Sequence, residues 1–216
     1  MNSSISKVIS STIHTMVYHM RYSGAHVVHK ENVAEHSYFV TLIADWLAED
    51  LQQKHSLSLD RLAILHMAMY HDTEEAYTGD LITPVKNKSP ELKREWDKMC
   101  ELMMTEGLTH DFPLQPHITN HILRIHKKYE KEKYTGIENQ IVKFSDGVQS
   151  IVYLLREVGF GNKHVFPILE NMMKSICLRF SEHTLLGDYV VDLQNIVHQT
   201  IYEDNSLCLK PNAIQK

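Results

Sequence analysis

Along most of this chain apolar residues recur every three to four positions, and the strict alternation of a half-buried strand is hard to find. That periodicity predicts helices over roughly 5–22, 33–53, 59–78, 91–106, 115–131, 137–158, 163–181 and 183–203. Asn32 is placed to cap the second of these, with Glu35 at the third helical position as in a capping box. Ser58 reads as the cap of the third helix and Gly79 as its stop. Pro84 and Pro90 mark Asp80 to Pro90 as a loop. The expected fold class is all-α, a helical bundle forming one domain over residues 1–203, followed by a flexible tail at 204–216.

Composition narrows the function classes. The chain has 216 residues, 43% hydrophobic and 23% charged, with a formal net charge of −5. A surface of that sign does not suit coating a nucleic acid polymer, whereas a small phosphate-bearing substrate needs only a local cation. The three cysteines, Cys100, Cys177 and Cys208, form no C-x-x-C pair and fit a reduced, cytoplasmic protein. No apolar run has the length of a membrane span, and the first twenty residues lack a signal core, so no membrane partner is expected.

The chemistry concentrates in a few inward-facing polar residues. His36 lies on the apolar stripe of its helix with Phe39, Val40, Ile43 and Leu47. His71 and Asp72 are adjacent, on a helix whose inward positions are taken as Leu62, Leu65, Ala68 and Met69. Asp146 sits inside a long apolar helix beside Val142 and Tyr153. Together His36, His71, Asp72 and Asp146 read as two nitrogen and two oxygen ligands of one divalent ion that keeps water of its own. The competing readings are a core histidine with a single hydrogen bond, a buried Asp–His pair, and a helix-to-helix bond from Asp146. Glu75, one turn past His71, is placed to take a proton from water, and Glu74 points away as a solvated charge. Asp80 faces the same pocket or forms a turn after Gly79. Arg21 offers a planar fork that matches phosphate, and Lys86 a second cation. His117, His121 and His126 lie at helical spacing, as a solvated face near Lys127 and Lys128 or as ligands of a second metal.

Three segments carry a resemblance: ENVAEHS at 31–37, YHDTEEAYTGDLITPVK at 70–86 and VKFSDGVQSIVYLLREV at 142–158. They resemble the HD-domain phosphohydrolase superfamily, and within it the bacterial 5′-deoxynucleotidases of the YfbR type. The resemblance implies an HD-domain helical bundle, a homodimer, and one divalent metal per subunit: Co2+, Mn2+ or Fe2+, with Mg2+ or Zn2+ as further options. It also implies removal of the 5′-phosphate from nucleoside or deoxynucleoside monophosphates. By position, His36, His71, Asp72 and Asp146 are then the metal ligands. Glu75 acts on the hydrolytic water, Asp80 contacts the sugar and Arg21 grips the phosphate. The family has Arg-Trp where this chain has Arg21-Tyr22, and the tryptophan crowds the ribose 2′ position, so discrimination against ribose is expected to be weaker here. Related HD enzymes cleave nucleoside di- and triphosphates or process nucleotide analogues, as in the oxetanocin pathway, and the fold alone does not choose among these esters.

Overall fold

The computed structural model describes residues 4–80, 85, 88–132 and 135–203. Among these residues the protein is helical, its one β-type pairing being an isolated antiparallel bridge between Met20 and Asn32. In chain order the helices are α1 (Ser4–Ile9), α2 (Val33–His55), α3 (Arg61–Tyr70), α4 (Glu75–Thr78), α5 (Pro90–Asp111), α6 (Pro116–Glu132), α7 (Ile137–Gly159), α8 (Phe166–Phe180) and α9 (Gly187–His198). Short 3-10 turns cover Thr12–Val17 and Lys163–Val165, and a π turn covers Gln199–Glu203. None of the helices is long and apolar enough to cross a membrane. The tail at 204–216 and Lys86 lie outside the described residues.

The centre is a three-helix unit. α2 packs along both α3 and α7, and α7 also packs against α8. Val40, Ala48, Ile64, Met67, Ile151 and Leu154 are buried where these helices meet. Small residues Ala44, Ala48 and Ala68 let α2 and α3 approach closely. A smaller cluster of Met104, Leu108, Phe112 and Ile122 joins α5 to α6.

The Asn32 cap forms as expected: Asn32 Oδ1 accepts from the Glu35 amide at 2.9 Å, and Glu35 Oε2 accepts from the Asn32 amide at 3.1 Å. Gly79 ends α4 at φ 71°, with its amide donating to the Glu75 carbonyl. Other boundaries move. Asp60, not Ser58, caps α3 by accepting from the Ala63 amide at 3.0 Å. The helix expected at 5–22 breaks at Ser10–Ser11, because Ser11 and Thr12 are held by Asp111 of α5, far along the chain. The helix expected at 59–78 stops at Tyr70. There the His71 ring takes the Ala68 carbonyl at 2.8 Å, the acceptor an uninterrupted α-helix would give to the Asp72 amide. The chain continues through tighter turns, Thr73 to Tyr70 and Glu75 to Asp72. The expected inward face of α3 is also corrected. Ala68 is buried as expected, but Leu62 and Met69 are 63% and 46% exposed, and Ile64 and Met67 are buried in their place. α3 is apolar nearly all round, so periodicity alone did not select its buried side.

A buried His-Asp cluster and its cavity

Three elements deliver four donor side chains to one point. His36 comes from the first turn of α2, His71 and Asp72 from the break after α3, and Asp146 from the middle of α7. His36 and His71 are buried, and Asp72 and Asp146 have side chains only 20% and 17% exposed. The two Nε2 atoms are 3.3 Å apart. Asp72 Oδ2 is 3.5 Å from His36 Nε2 and 3.2 Å from His71 Nε2, and Asp146 Oδ1 is 3.2 Å from His36 Nε2. One atom each from His36, His71 and Asp146 falls within 4.8 Å of the others, a group able to hold a metal ion.

The donor chemistry fits a divalent cation. Ligands about 2.1 Å from one ion stand about 3.0–3.4 Å from each other, close to the 3.2–3.5 Å that separates His36 from His71, Asp72 and Asp146 and His71 from Asp72. His71 Nδ1 donates to the Ala68 carbonyl, so in the neutral ring the Nε2 lone pair faces the carboxylates. Lone pairs and carboxylate oxygens that converge in a buried space repel unless a cation sits among them. The same field acts on protons. Burial opposes charge on His71, but Asp72 beside it, with Asp146 behind, holds its pKa up at about 9. Burial also opposes ionisation of Asp146, yet the Lys143 ammonium, donating at 2.6 Å, keeps that carboxyl well below its usual range. His36 is pushed down, first by burial and then by the Arg21 charge.

A cavity of about 1290 Å³ opens from this cluster, lined among others by Arg21, Tyr22, Asp72, Glu75, Asp80 and Asp146. Glu75 is 6% exposed. Arg21 is drawn into the wall, its side chain 15% exposed: its Nη1 donates to Glu31 Oε2 at 2.8 Å and lies 2.6 Å from His36 Nδ1. Tyr22, at φ 56°, stacks on Tyr153 with ring centres 4.8 Å apart, and the Arg21 guanidinium lies 5.2 Å from the Tyr22 ring centre.

Glu74 is not the solvated charge expected of it. It lines the cavity, and Glu74 Oε2 lies 2.7 Å from Nε2 of buried His126. The three histidines of α6 accordingly do not converge. His117 is exposed, His121 packs edge-on against His66, and His126 pairs with Glu74. Sequence reasoning also passed over Lys143, Glu31 and Gln149, all close around the cluster. A signal was available for two of them: Lys143 and Gln149 lie three residues either side of Asp146, on the same face of its helix.

The comparisons agree with this architecture. The chain is 31% identical over 161 residues to a 5′-deoxynucleotidase of Yersinia pestis, covering 71% of this chain and 75% of that one. An HD-domain phosphohydrolase from Listeria innocua superposes with a TM-score of 0.73 at 23% identity, covering 93% of this chain and 91% of the other. The cyanophage S-2L HD phosphohydrolase, bound to dA and one catalytic Zn2+ ion, superposes at 0.58 with 18% identity, covering 87% and 95%. These two structures share the fold. The family model for 5′-deoxynucleotidase YfbR-like proteins matches residues 9–205, and the chain belongs to that family.

Proposed function

We propose that the His-Asp cluster removes the 5′-phosphate from nucleoside and deoxynucleoside monophosphates, with His36, His71, Asp72 and Asp146 as the ligands of one divalent ion. Family membership makes the chain a metal-dependent nucleotide phosphohydrolase. The observation that carries the site assignment is the set of 3.2–3.5 Å separations among four donors from three helical elements.

When bound, a divalent ion in this cluster supplies a Lewis acid for a phosphoryl oxygen and lowers the pKa of a water. Glu75, on the wall of the same cavity, takes the proton from the attacking water. Arg21 turns its guanidinium to the phosphate and neutralises charge that moves toward the leaving oxygen. Lys143 holds Asp146 in its ligating position. Asp80 and Tyr22 bound the sugar end of the cavity. Lys86 is proposed as a further phosphate contact from its place in the sequence alone. The ion is read as Co2+, Mn2+ or Fe2+, which suit mixed nitrogen and oxygen donors. The chain is further read as one domain over 1–203 and a homodimer. It is also read as cytoplasmic, in keeping with Cys100 and Cys177 as reduced thiols.

One observation favours a second reading. The cavity exceeds the roughly 300–1,000 Å³ of ordinary small-molecule sites, and α5 brings Lys93, Arg94 and Lys98 to its rim. That leaves room for a di- or triphosphate or a nucleotide analogue. Chromatography of the products of ribo and deoxy mono-, di- and triphosphates with Mn2+, Co2+ and Mg2+ decides. Orthophosphate from monophosphates supports the first reading. Pyrophosphate or tripolyphosphate supports the second, and binding without product would overturn both.

A further inference from the structure

Gln149 lies on α7 three residues past Asp146 and is 4% exposed. Its Nε2 donates to Glu31 Oε1 at 2.5 Å, and its Oε1 lies 2.5 Å from His36 Nδ1. A carboxylate only accepts, so the amide nitrogen must face Glu31 and the amide oxygen must face the imidazole. An oxygen lone pair against Nδ1 calls for a proton on Nδ1. With the proton there, His36 Nε2 keeps its lone pair, and Nε2 is the atom beside Asp72, Asp146 and His71.

Arg21 acts on the same nitrogen in the opposite sense. Its Nη1 is 2.6 Å from His36 Nδ1 and can only donate. An Nδ1 that accepted from Arg21 would leave the proton on Nε2, directed at Asp146 Oδ1 3.2 Å away, and the ring could not ligate. His36 thus has two neighbours that favour opposite tautomers, and only the one favoured by Gln149 can bind a cation. We propose that Gln149 is a positioning residue for the divalent ion: oriented by Glu31, it holds His36 in the tautomer whose Nε2 can ligate, and frees Arg21 for an anionic oxygen in the cavity. This rests on the reading of His36, His71, Asp72 and Asp146 as the ion site. It adds a hydrogen-bonded support to His36 that matches the one the Ala68 carbonyl gives His71.

Calorimetric titration of Mn2+ into the metal-free full chain tests it, beside melting curves that report folding. The parent should bind one Mn2+ per chain, and Asp146→Ala should lose that binding. Gln149→Leu, which removes the acceptor at similar volume, should weaken the dissociation constant about 10–100-fold, the usual effect of losing an outer-shell partner. The double variant Glu31→Gln with Gln149→Glu exchanges the charge but keeps an acceptor against Nδ1, and should return to within about threefold of the parent. A folded Gln149→Leu protein that binds Mn2+ within about twofold of the parent overturns the role of Gln149 alone. Equal weakening in Gln149→Leu and the double variant overturns it too, since a general disturbance explains both. A parent that takes up no Mn2+, or an Asp146→Ala variant that binds like the parent, overturns the ion site itself and this inference with it.

Discussion

Two acidic centres in this protein each contain an adjacent His-Asp pair, His71-Asp72 and His110-Asp111, and they behave differently in space. Asp111, at the end of α5, is surrounded by neutral donors. Asp111 Oδ2 accepts from Ser11 Oγ at 3.0 Å, the Thr12 amide at 2.7 Å and Tyr77 OH at 3.1 Å, and Oδ1 accepts from Thr12 Oγ1 at 2.9 Å. Every contact is a donor meeting an acceptor, so the carboxylate is satisfied as it stands, and it pins the N-terminal segment to α5 and α4. Asp72 and Asp146 instead share their space with two imidazoles whose other nitrogens are engaged elsewhere, and the remaining lone pairs converge. Burial alone does not distinguish a structural acid from a functional one. The distinction lies in whether the neighbours complete the carboxylate with donors or set further lone pairs against it.

The comparison is broken most sharply at Asp72. Asp72→Ala should lose the metal by elemental analysis and lower turnover by more than about 10²-fold, beyond the usual cost of an outer-shell change. Retained metal and activity would make Asp72 a structural acid like Asp111. Glu75→Gln should lower kcat by about 10²-fold while metal content stays near the parent value, the scale of a lost general base. A kcat within a few-fold of the parent removes Glu75 from the proton transfer.

Asp111→Ala should do the converse. With several donors left unsatisfied, unfolding in urea should show a loss of about 2–4 kcal/mol, while kcat per folded, metal-loaded molecule stays unchanged. A loss of metal affinity in this variant would show that the two centres are coupled after all. Tyr22 tests the substrate end. Tyr22→Trp should raise the deoxy-to-ribo ratio of kcat/KM and Tyr22→Ala lower it, each by about tenfold or less, because a wall rejects a hydroxyl only modestly. A ratio that stays constant in both variants places Tyr22 outside the sugar contact.

The smallest effect concerns an acid of intermediate kind, Glu74, satisfied by an imidazole rather than by hydroxyls. Burial works against charge on His126, but its hydrogen bond to Glu74 prevails and raises its pKa above the ordinary 6.5. A raised folded-state pKa means the pair stabilises the fold fully below about pH 6.5 and ceases to do so as the pH rises through the raised value. Glu74→Gln should therefore lower the melting temperature of the metal-free protein near pH 6 more than near pH 9. An equal loss at both pH values points to packing instead of charge.

How much of this was legible beforehand follows from the range of each interaction. The start of α2 was readable because Asn32 and Glu35 cap it within three residues of each other. The stop at Gly79 was readable because a positive φ favours glycine locally. The inward placement of His36 and Asp146 followed from the apolar residues that share their helical phase, Val40 and Leu47 for the first and Val142 and Tyr153 for the second. The phase of α3 was readable only at Ala68, since its apolar residues surround the axis and contact with α2 and α7 chose Ile64 and Met67 over Leu62 and Met69. The direction of Glu74 depended on His126, which lies 52 residues away, and the break near Ser11 on Asp111, which lies 100 residues away.

The sequence by itself determined that the chain is a set of helices with a few inward polar residues, because helical periodicity and capping act over a turn or two of chain. The tertiary structure decided which lone pairs face each other. That required His36 and Gln149, 113 residues apart, to meet at 2.5 Å, and a helix to end where the His71 ring captured its carbonyl. The first of these contacts lies beyond the reach of any local preference, and even the second, three residues long, formed against the helical phase that the pattern favoured.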